Sequence, residues 1–326
     1  MGNVNEPVKI TVLIVTKNEE RFISELILKL HEQTVNEQDY EIIIIDGMST
    51  DKTVDKVQSF KDINPNLIKL ISNPKQTLPL AWNLGIQAAR GDYILRIDGH
   101  TLIPEDFLEN YLKLIEKQPG VECVGGIINS EGTGFQGTIN QYVYSHSFGV
   151  GNSKFRTIKG VWEGFVDTVP YGAYKREVFE KVGYFNEDLK RNEDIEFHKR
   201  MKDQGMRFFM STSIQSTYYV RLTLKGLIQK SLGDGTWTMI ADQSVPGSLR
   251  IRHKAPLFAF LIGLAVLLLA VFFAPMRWVL GGVGLLYLAA AKLGKSWYHQ
   301  TIWTSLFPTY HLDFFLSSFF PWLRLF

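Results

Sequence analysis

The sequence predicts an α/β fold: a parallel sheet with helices on both faces, followed by an apolar helical region. Three observations carry this. Between Val8 and Gly99, β-rich apolar segments alternate with segments whose apolar residues recur at helical spacing. The β-rich segments carry nearly continuous apolar runs, which suits strands buried on both faces. Far downstream, PLFAFLIGLAVLLLAVFFAP (Pro256 to Pro275) carries no charge. About 20 such residues span roughly 30 Å of hydrocarbon.

The elements follow in order. VKITVLIVT (Val8 to Thr16) is the first strand, and Arg21 to Gln33 the first helix. YEIIIIDG is the second strand, ending at Asp46. In MSTDKTVDKVQSF, Ser49, Thr50 and Asp51 read as caps of the second helix. NLIKLIS is the third strand, LPLAWNLGIQAARG a helix closed by Gly91, and DYILRIDG the fourth strand. Ligands of such sheets bind outside the carboxyl ends of the strands. Three strands end there in polar signals: Thr16-Lys17-Asn18-Glu19, Asp46-Gly47 and Asp98-Gly99-His100. Parallel pairing would bring all three to one rim, and Gly99 would let something approach the backbone closely.

Composition sets bounds. With 326 residues, the chain exceeds a usual single domain. A net charge of +2 gives no argument for a nucleic-acid partner. The single cysteine, Cys123, forms no internal disulfide, which fits a reducing cytoplasm. The N-terminal stretch has no basic n-region with a small-residue cleavage site, so no cleaved signal peptide is expected. Three parts are expected: a main domain over 1–235, an interfacial connector over 236–255, and a membrane region over 256–326 with two or three hydrophobic helices. WVLGGVGLLYLAAA (Trp278 to Ala291) is short for a span and would need snorkelling Lys292 and Lys295. The last segment, TIWTSLFPTYHLDFFLSSFFPWLRLF, could span, re-enter or lie in the interface. Lys225, Lys230, Arg250, Arg252, His253 and Lys254 precede the first apolar run, and only Arg277 lies between the first two. That excess places the main domain on the cytoplasmic side of the membrane.

The chemistry rests on a few residues. A carboxylate and an imidazole two residues apart, Asp98 and His100, could both face a divalent cation; a polar strand end without metal is the other reading. Arg96 shares a face with Asp98 and either orients that carboxylate or is a buried paired charge. Glu193 and Asp194 open a helix, where acidic residues favour the macrodipole. A carboxylate facing a cleft could instead act as a general base.

The order IVTKNEE, IIIIDGMSTDKT, LAWNLGIQAARGDYILRIDGH, GAYKREVFEKVGYF and NEDIEFHKRMKDQG resembles the family 2 glycosyltransferases, the inverting GT-A class. YYVRLTLKGLIQKSL, RIRHKAP and HLDFF extend the resemblance to the succinoglycan glucosyltransferase group, nearly full length. The resemblance implies a GT-A, Rossmann-like nucleotide-sugar domain and a nucleotide-sugar donor, a UDP-hexose. It implies that Thr16, Asn18, Glu19 and Asp46 hold the nucleoside. It puts Asp98 on the first position of an Asp-X-Asp metal motif that also serves the donor. His100 stands at the third position, usually Asp; it keeps a ligand and removes a charge, which leaves Mn or Mg open. Asp194 matches the base, while Glu193, Gln229 and Trp237 match residues near the acceptor or donor phosphates. The implied acceptor is a lipid-linked saccharide at the membrane, in extracellular or capsular polysaccharide synthesis. Two other readings stay open: a polyprenyl-phosphate sugar synthase, which needs no base, and a non-catalytic sugar-nucleotide-binding scaffold. A nucleotidyltransferase would open on a Gly-rich basic loop, and TKNEE is neither.

Overall fold

The computed structural model describes residues 8–249 and 251–295. Its first half builds β1 (Ile10–Thr16), α1 (Ile23–His31), β2 (Tyr40–Asp46), α2 (Thr53–Ile63), β3 (Ile68–Ser72), α3 (Leu78–Ala88), β4 (Tyr93–Asp98) and α4 (Phe107–Lys117). The four strands are parallel in the order β3-β2-β1-β4. Successive side chains of a strand point to opposite faces, so an all-apolar strand feeds two cores. Val12, Ile14, Ile42 and Ile44 pack under α1, α2 and α4. Leu13, Ile43 and Ile45 pack on the other face, under α3. The expected helices on both faces are present.

The rest of the chain adds β5 (Cys123–Glu131), α5 (Gly134–Ser145), α6 (Ser147–Val150), α7 (Lys154–Thr157), β6 (Glu163–Val166), β7 (Ala173–Lys175), α8 (Arg176–Val182), α9 (Glu193–Asp203), β8 (Phe208–Tyr219), α10 (Leu224–Ser244), α11 (Ile251–Phe272) and α12 (Ala274–Lys295). Here the sheet departs from the all-parallel expectation. Its full order is β3-β2-β1-β4-β7-β5-β8-β6. The short β7 runs antiparallel between β4 and β5, β8 runs parallel to β5, and β6 closes the edge antiparallel to β8. Both α8 and α9 join the α3 face through Val178, Phe179, Phe197 and Met201. Cys123 is a buried thiol in that core.

The chain divides into two compact units. One joins the residues up to Glu131 with Lys154–Tyr219 and holds the whole sheet. The other joins Gly132–Ser153 with the residues from Val220 onward. The expected boundary at 235 therefore falls inside α10, and the segment holding α5 and α6 leaves the sheet unit altogether. In the second unit, α11 and α12 pack side by side, and Arg277 Nε donates to the Ala270 carbonyl at 3.0 Å across their junction. The two apolar runs expected to span are helical. Among the described residues, however, no helix is long and apolar enough to cross a membrane. The last predicted segment, 301–326, lies outside the described residues.

Close approach of β4 to β1 requires a residue without a side chain at the entry to β4. A Cβ on Gly91 would stand 2.4 Å from the Thr11 amide nitrogen. Gly91 is also held in place by its N–H donating to Thr11 Oγ1 at 2.8 Å, and by Arg176 donating to its carbonyl. Gly91→Ala should therefore force β1 and β4 apart and destabilise the sheet unit by about 1–3 kcal/mol. Urea unfolding of the variant against wild type checks this, and an unchanged midpoint would contradict it.

Candidate active site

Parallel register sets Thr16 beside Asp46 and Val15 beside Asp98. The polar ends of β1, β2 and β4 do share one rim. The backbone of this rim is unusual. Asn18 (φ 56°), Met48 (φ 60°) and Gln76 (φ 57°) follow β1, β2 and β3; Tyr171 (φ 44°) precedes β7 and Asn192 (φ 59°) precedes α9. Such left-handed, non-glycine residues cost energy and gather where a site dictates backbone shape.

The loops after β1 and β2 are tied into one surface. Asp46 accepts from the Ser49 amide at 2.9 Å and the Ser49 hydroxyl at 2.5 Å. Ser49 Oγ in turn accepts from the Asn18 amide at 2.9 Å, and Asn18 Oδ1 accepts from the Thr50 amide at 2.8 Å. Ser49 and Thr50 are thus not helix caps, as the sequence suggested; α2 starts at Thr53, and they serve the rim. Asp51 does serve the helix start, accepting from the Thr53 amide at 3.0 Å. Of the four residues expected to hold a nucleoside, Asn18 is exposed and Asp46 is engaged by its own loop. Thr16 is only 2% exposed, and its Oγ1 has no hydrogen-bond partner. A Cβ on Gly99 would sit 3.1 Å from that Oγ1, so the close approach Gly99 permits is that of Thr16. Glu19 Oε1 lies 3.1 Å from His100 Nδ1, which ties the end of β1 to the end of β4.

Asp98 and His100 are half-buried at the exit of β4. The Tyr171 hydroxyl lies 3.5 Å from Asp98 Oδ2. Burial pushes the Tyr171 phenol far up, and Asp98 adds to the rise. Among the described residues, no group of three or more His, Cys, Asp or Glu gathers as a metal site. Two protein ligands, one oxygen and one imidazole nitrogen, suit a cation whose remaining positions are filled by phosphate oxygens and water. The Glu19–His100 contact fits as well, because a ligating imidazole is ordinarily oriented by a carboxylate on its other nitrogen.

Beneath the rim lies a buried ion pair. Arg96 Nη2 donates to Glu193 Oε1 at 2.8 Å, and Trp82 Nε1 donates to the same oxygen at 3.2 Å. Arg96 is 9% exposed and Glu193 3%. The guanidinium is sandwiched between Trp82 and Phe185, with ring centroids at 4.3 and 4.4 Å. Burial raises the Glu193 carboxyl, Arg96 opposes the rise, and Asp194 and Asp98 add to it. Glu193 is therefore an inward partner of Arg96. Asp194 follows it, half-buried, in the first turn of α9, where its Oδ1 accepts from the Ile195 amide at 2.9 Å. Both Asp98 and Asp194 act electrostatically on Arg96 and on Glu193. Gln229 and Trp237 lie on α10, in the second unit.

A model of glycosyl transferase family 2 matches residues 11–183, from β1 to the end of α8. The chain belongs to this family. It is 32% identical, over 69% of its length and 71% of the relative's, to the dolichyl N-acetyl-alpha-D-glucosaminyl phosphate 3-beta-D-2,3-diacetamido-2,3-dideoxy-beta-D-glucuronosyltransferase of Methanococcus voltae. Against the succinoglycan biosynthesis protein ExoA of Rhizobium meliloti it is 27% identical over 79% of its length and 77% of that protein's. The fold resembles the mannosyltransferase PcManGT of Pyrobaculum calidifontis, solved with GDP-Man and Mn2+, at a TM-score of 0.69 and 17% identity over 98% of this chain and 88% of that one. Family membership makes this protein a glycosyltransferase, with a GT-A-like α/β sheet unit. Sequence reasoning missed Ser49, Trp82 and Tyr171. Ser49 was visible only as a cap residue, Trp82 only as an apolar residue of a helical segment, and Tyr171 lies just outside the quoted motifs.

Removing one member of a buried ion pair strands the other. In this transferase, Arg96→Met should cost about 3–5 kcal/mol at neutral pH. The sign of its pH dependence follows from the loss of the positive charge that most lowers the Glu193 pKa. The folded carboxyl then rises further above the unfolded value of about 4.3. The variant should come nearest to wild type around pH 4, where the carboxyl is protonated in both states, and fall behind as pH climbs through the raised value. Melts across pH 4–8 check this; a pH-independent deficit would contradict it.

Proposed function

We propose that this glycosyltransferase moves a sugar, with inversion, from a nucleotide-sugar donor to a lipid-linked saccharide at the cytoplasmic face of a membrane. The observation that carries the reading is the joining of β4, which ends at Asp98, to α9, which opens at Asp194, through the Arg96–Glu193 pair. Metal carboxylate and candidate base are fixed to one scaffold.

The Asn18–Ser49–Asp46 surface is the candidate nucleoside floor. Asp98 and His100 would hold a divalent cation, which when bound neutralises the diphosphate of the donor. Asp194 accepts the proton of the acceptor hydroxyl as its oxygen attacks the anomeric carbon. The bond from that carbon to the diphosphate oxygen breaks on the opposite side, so the new glycosidic bond has inverted configuration. Solved structures of this fold carry UDP-GlcNAc in one case and GDP-Man with Mn2+ in another, which supports a nucleotide-sugar donor. The Methanococcus voltae relative is named for a dolichyl-phosphate-linked sugar acceptor, which supports a lipid-linked one.

The helical hairpin supports a membrane setting. Ile262, Leu268, Val271, Phe272, Trp278 and Leu285 are all more than half exposed. Large apolar side chains exposed in this number suit an apolar partner, and the acyl chains beside a lipid-held acceptor would supply one.

The test separates base from cap. As a base, Asp194→Asn should lower transfer roughly 10²–10⁴-fold with nucleotide affinity retained. As a helix-start residue it should cost at most about 1–2 kcal/mol of stability and little turnover. Wild type is screened first, with nucleotide sugars and lipid-linked acceptors, by mass spectrometry. Normal turnover in Asp194→Asn would favour a phosphate acceptor, which needs no base. Excess chelator and Asp98→Asn should each abolish most transfer; full activity in either would contradict the metal role.

A further inference from the structure

We propose that Arg156 contacts the diphosphate of the donor and stabilises it as it leaves. The assignment rests on the nucleotide-sugar reading above. It concerns a residue outside every motif of the sequence, on a helix too short to have left a periodic signal.

Arg156 lies on α7 and is half-buried within the sheet unit. Its Nη1 donates to Ser130 Oγ of β5 at 3.1 Å. Its guanidinium carbon stands 5.4 Å from the centroid of the Tyr218 ring on β8. These contacts fix the guanidinium against two strands. Tyr218 leads directly to the metal motif, with its ring centroid 6.2 Å from that of His100. Arg156 thus reaches the candidate metal ligand His100 through one tyrosine.

Charge explains why a cation belongs there. The rim is acidic: Glu19, Asp46 and Asp98 lie at the strand ends. Arg96 is buried and committed to Glu193. Lys17 is exposed beside the β1 end, where it donates to Gln76 at 2.6 Å. A diphosphate adds further negative charge, and His100 replaces a carboxylate without adding a permanent positive one. As the bond to the anomeric carbon breaks, charge grows on the leaving oxygen. A preplaced guanidinium meets it with no reorganisation, and its planar fork matches two phosphate oxygens. The step moves no extra atoms: the donor's carbon–oxygen bond breaks with its electron pair going to the diphosphate, which Arg156 and the metal hold.

The experiment measures binding of UDP, GDP, uridine and guanosine to full-length protein in Mn2+, for wild type, Arg156→Gln and Arg156→Lys. Losing a charged hydrogen-bond partner should weaken the bound diphosphate roughly 10–100-fold in Arg156→Gln. Arg156→Lys should fall between, keeping the charge and losing the fork. The matching nucleoside should bind all three proteins alike. Unchanged diphosphate affinity in Arg156→Gln would overturn the assignment. So would equal weakening of nucleoside and diphosphate, the mark of a merely structural role. If wild type bound neither diphosphate, the donor reading would fail, and this assignment with it.

Discussion

A single buried charge pair, Arg96 with Glu193, is the constraint on which the rest of the site depends. Arg96 stands two residues before Asp98 on β4, and Glu193 immediately before Asp194 on α9. The pair therefore joins the strand that ends at the candidate metal carboxylate to the helix that opens at the candidate base. Burying two ions is costly, and well-packed apolar residues of similar volume often serve stability as well or better. What the ions add is direction. The 2.8 Å contact has one geometry, and Trp82 and Phe185 clamp the guanidinium from both sides. An apolar pair would fill the space without fixing how the helix start is rotated relative to the strand end. The same positive charge lies within reach of Asp98 and Asp194, so one cation serves three carboxylates.

The sheet supplies the frame for this pair. Parallel strands bring their carboxyl ends to one side, and the loops beyond β1 and β2 close into a hydrogen-bonded surface around Ser49. Where β7 enters antiparallel, the chain must turn sharply before it, and Tyr171 takes a left-handed conformation there. That turn carries the Tyr171 hydroxyl to Asp98. The strained residues and the chemical ones coincide because a site needs backbone shapes that a repeating strand or helix does not provide.

Much of the frame was legible in the residues, and the reasons differ by region. The first four strands are apolar on both faces, so their signal is strong. They hold to their predicted positions within a residue or two. The later strands gave no such signal. In β5 the Gly125-Gly126 pair interrupts the apolar run and the register shifts there; β7 has only three residues; β8 is rich in Ser and Thr. The exchange of residues 132–153 into the second unit leaves no trace in composition, because it is a matter of where helices pack. Within the site, the strand ends and the helix start of α9 were visible as polar residues breaking apolar patterns. Their partners were not. Glu19 reaches His100, and Glu193 turns inward to Arg96. Both are decided by contacts between elements far apart in sequence, which periodicity does not encode.

The central claim is that the Arg96–Glu193 pair sets the metal strand as well as the base helix. Its most direct test is the affinity for Mn2+ in the presence of a nucleoside diphosphate, followed by electron paramagnetic resonance, in Glu193→Gln. Glu193 is a partner of Arg96 and is not placed as a metal ligand. If the pair couples helix to strand, Glu193→Gln should bind Mn2+ several-fold more weakly than wild type while remaining folded. Unchanged Mn2+ affinity in a folded Glu193→Gln would show that the pair serves the helix alone and would contradict the account.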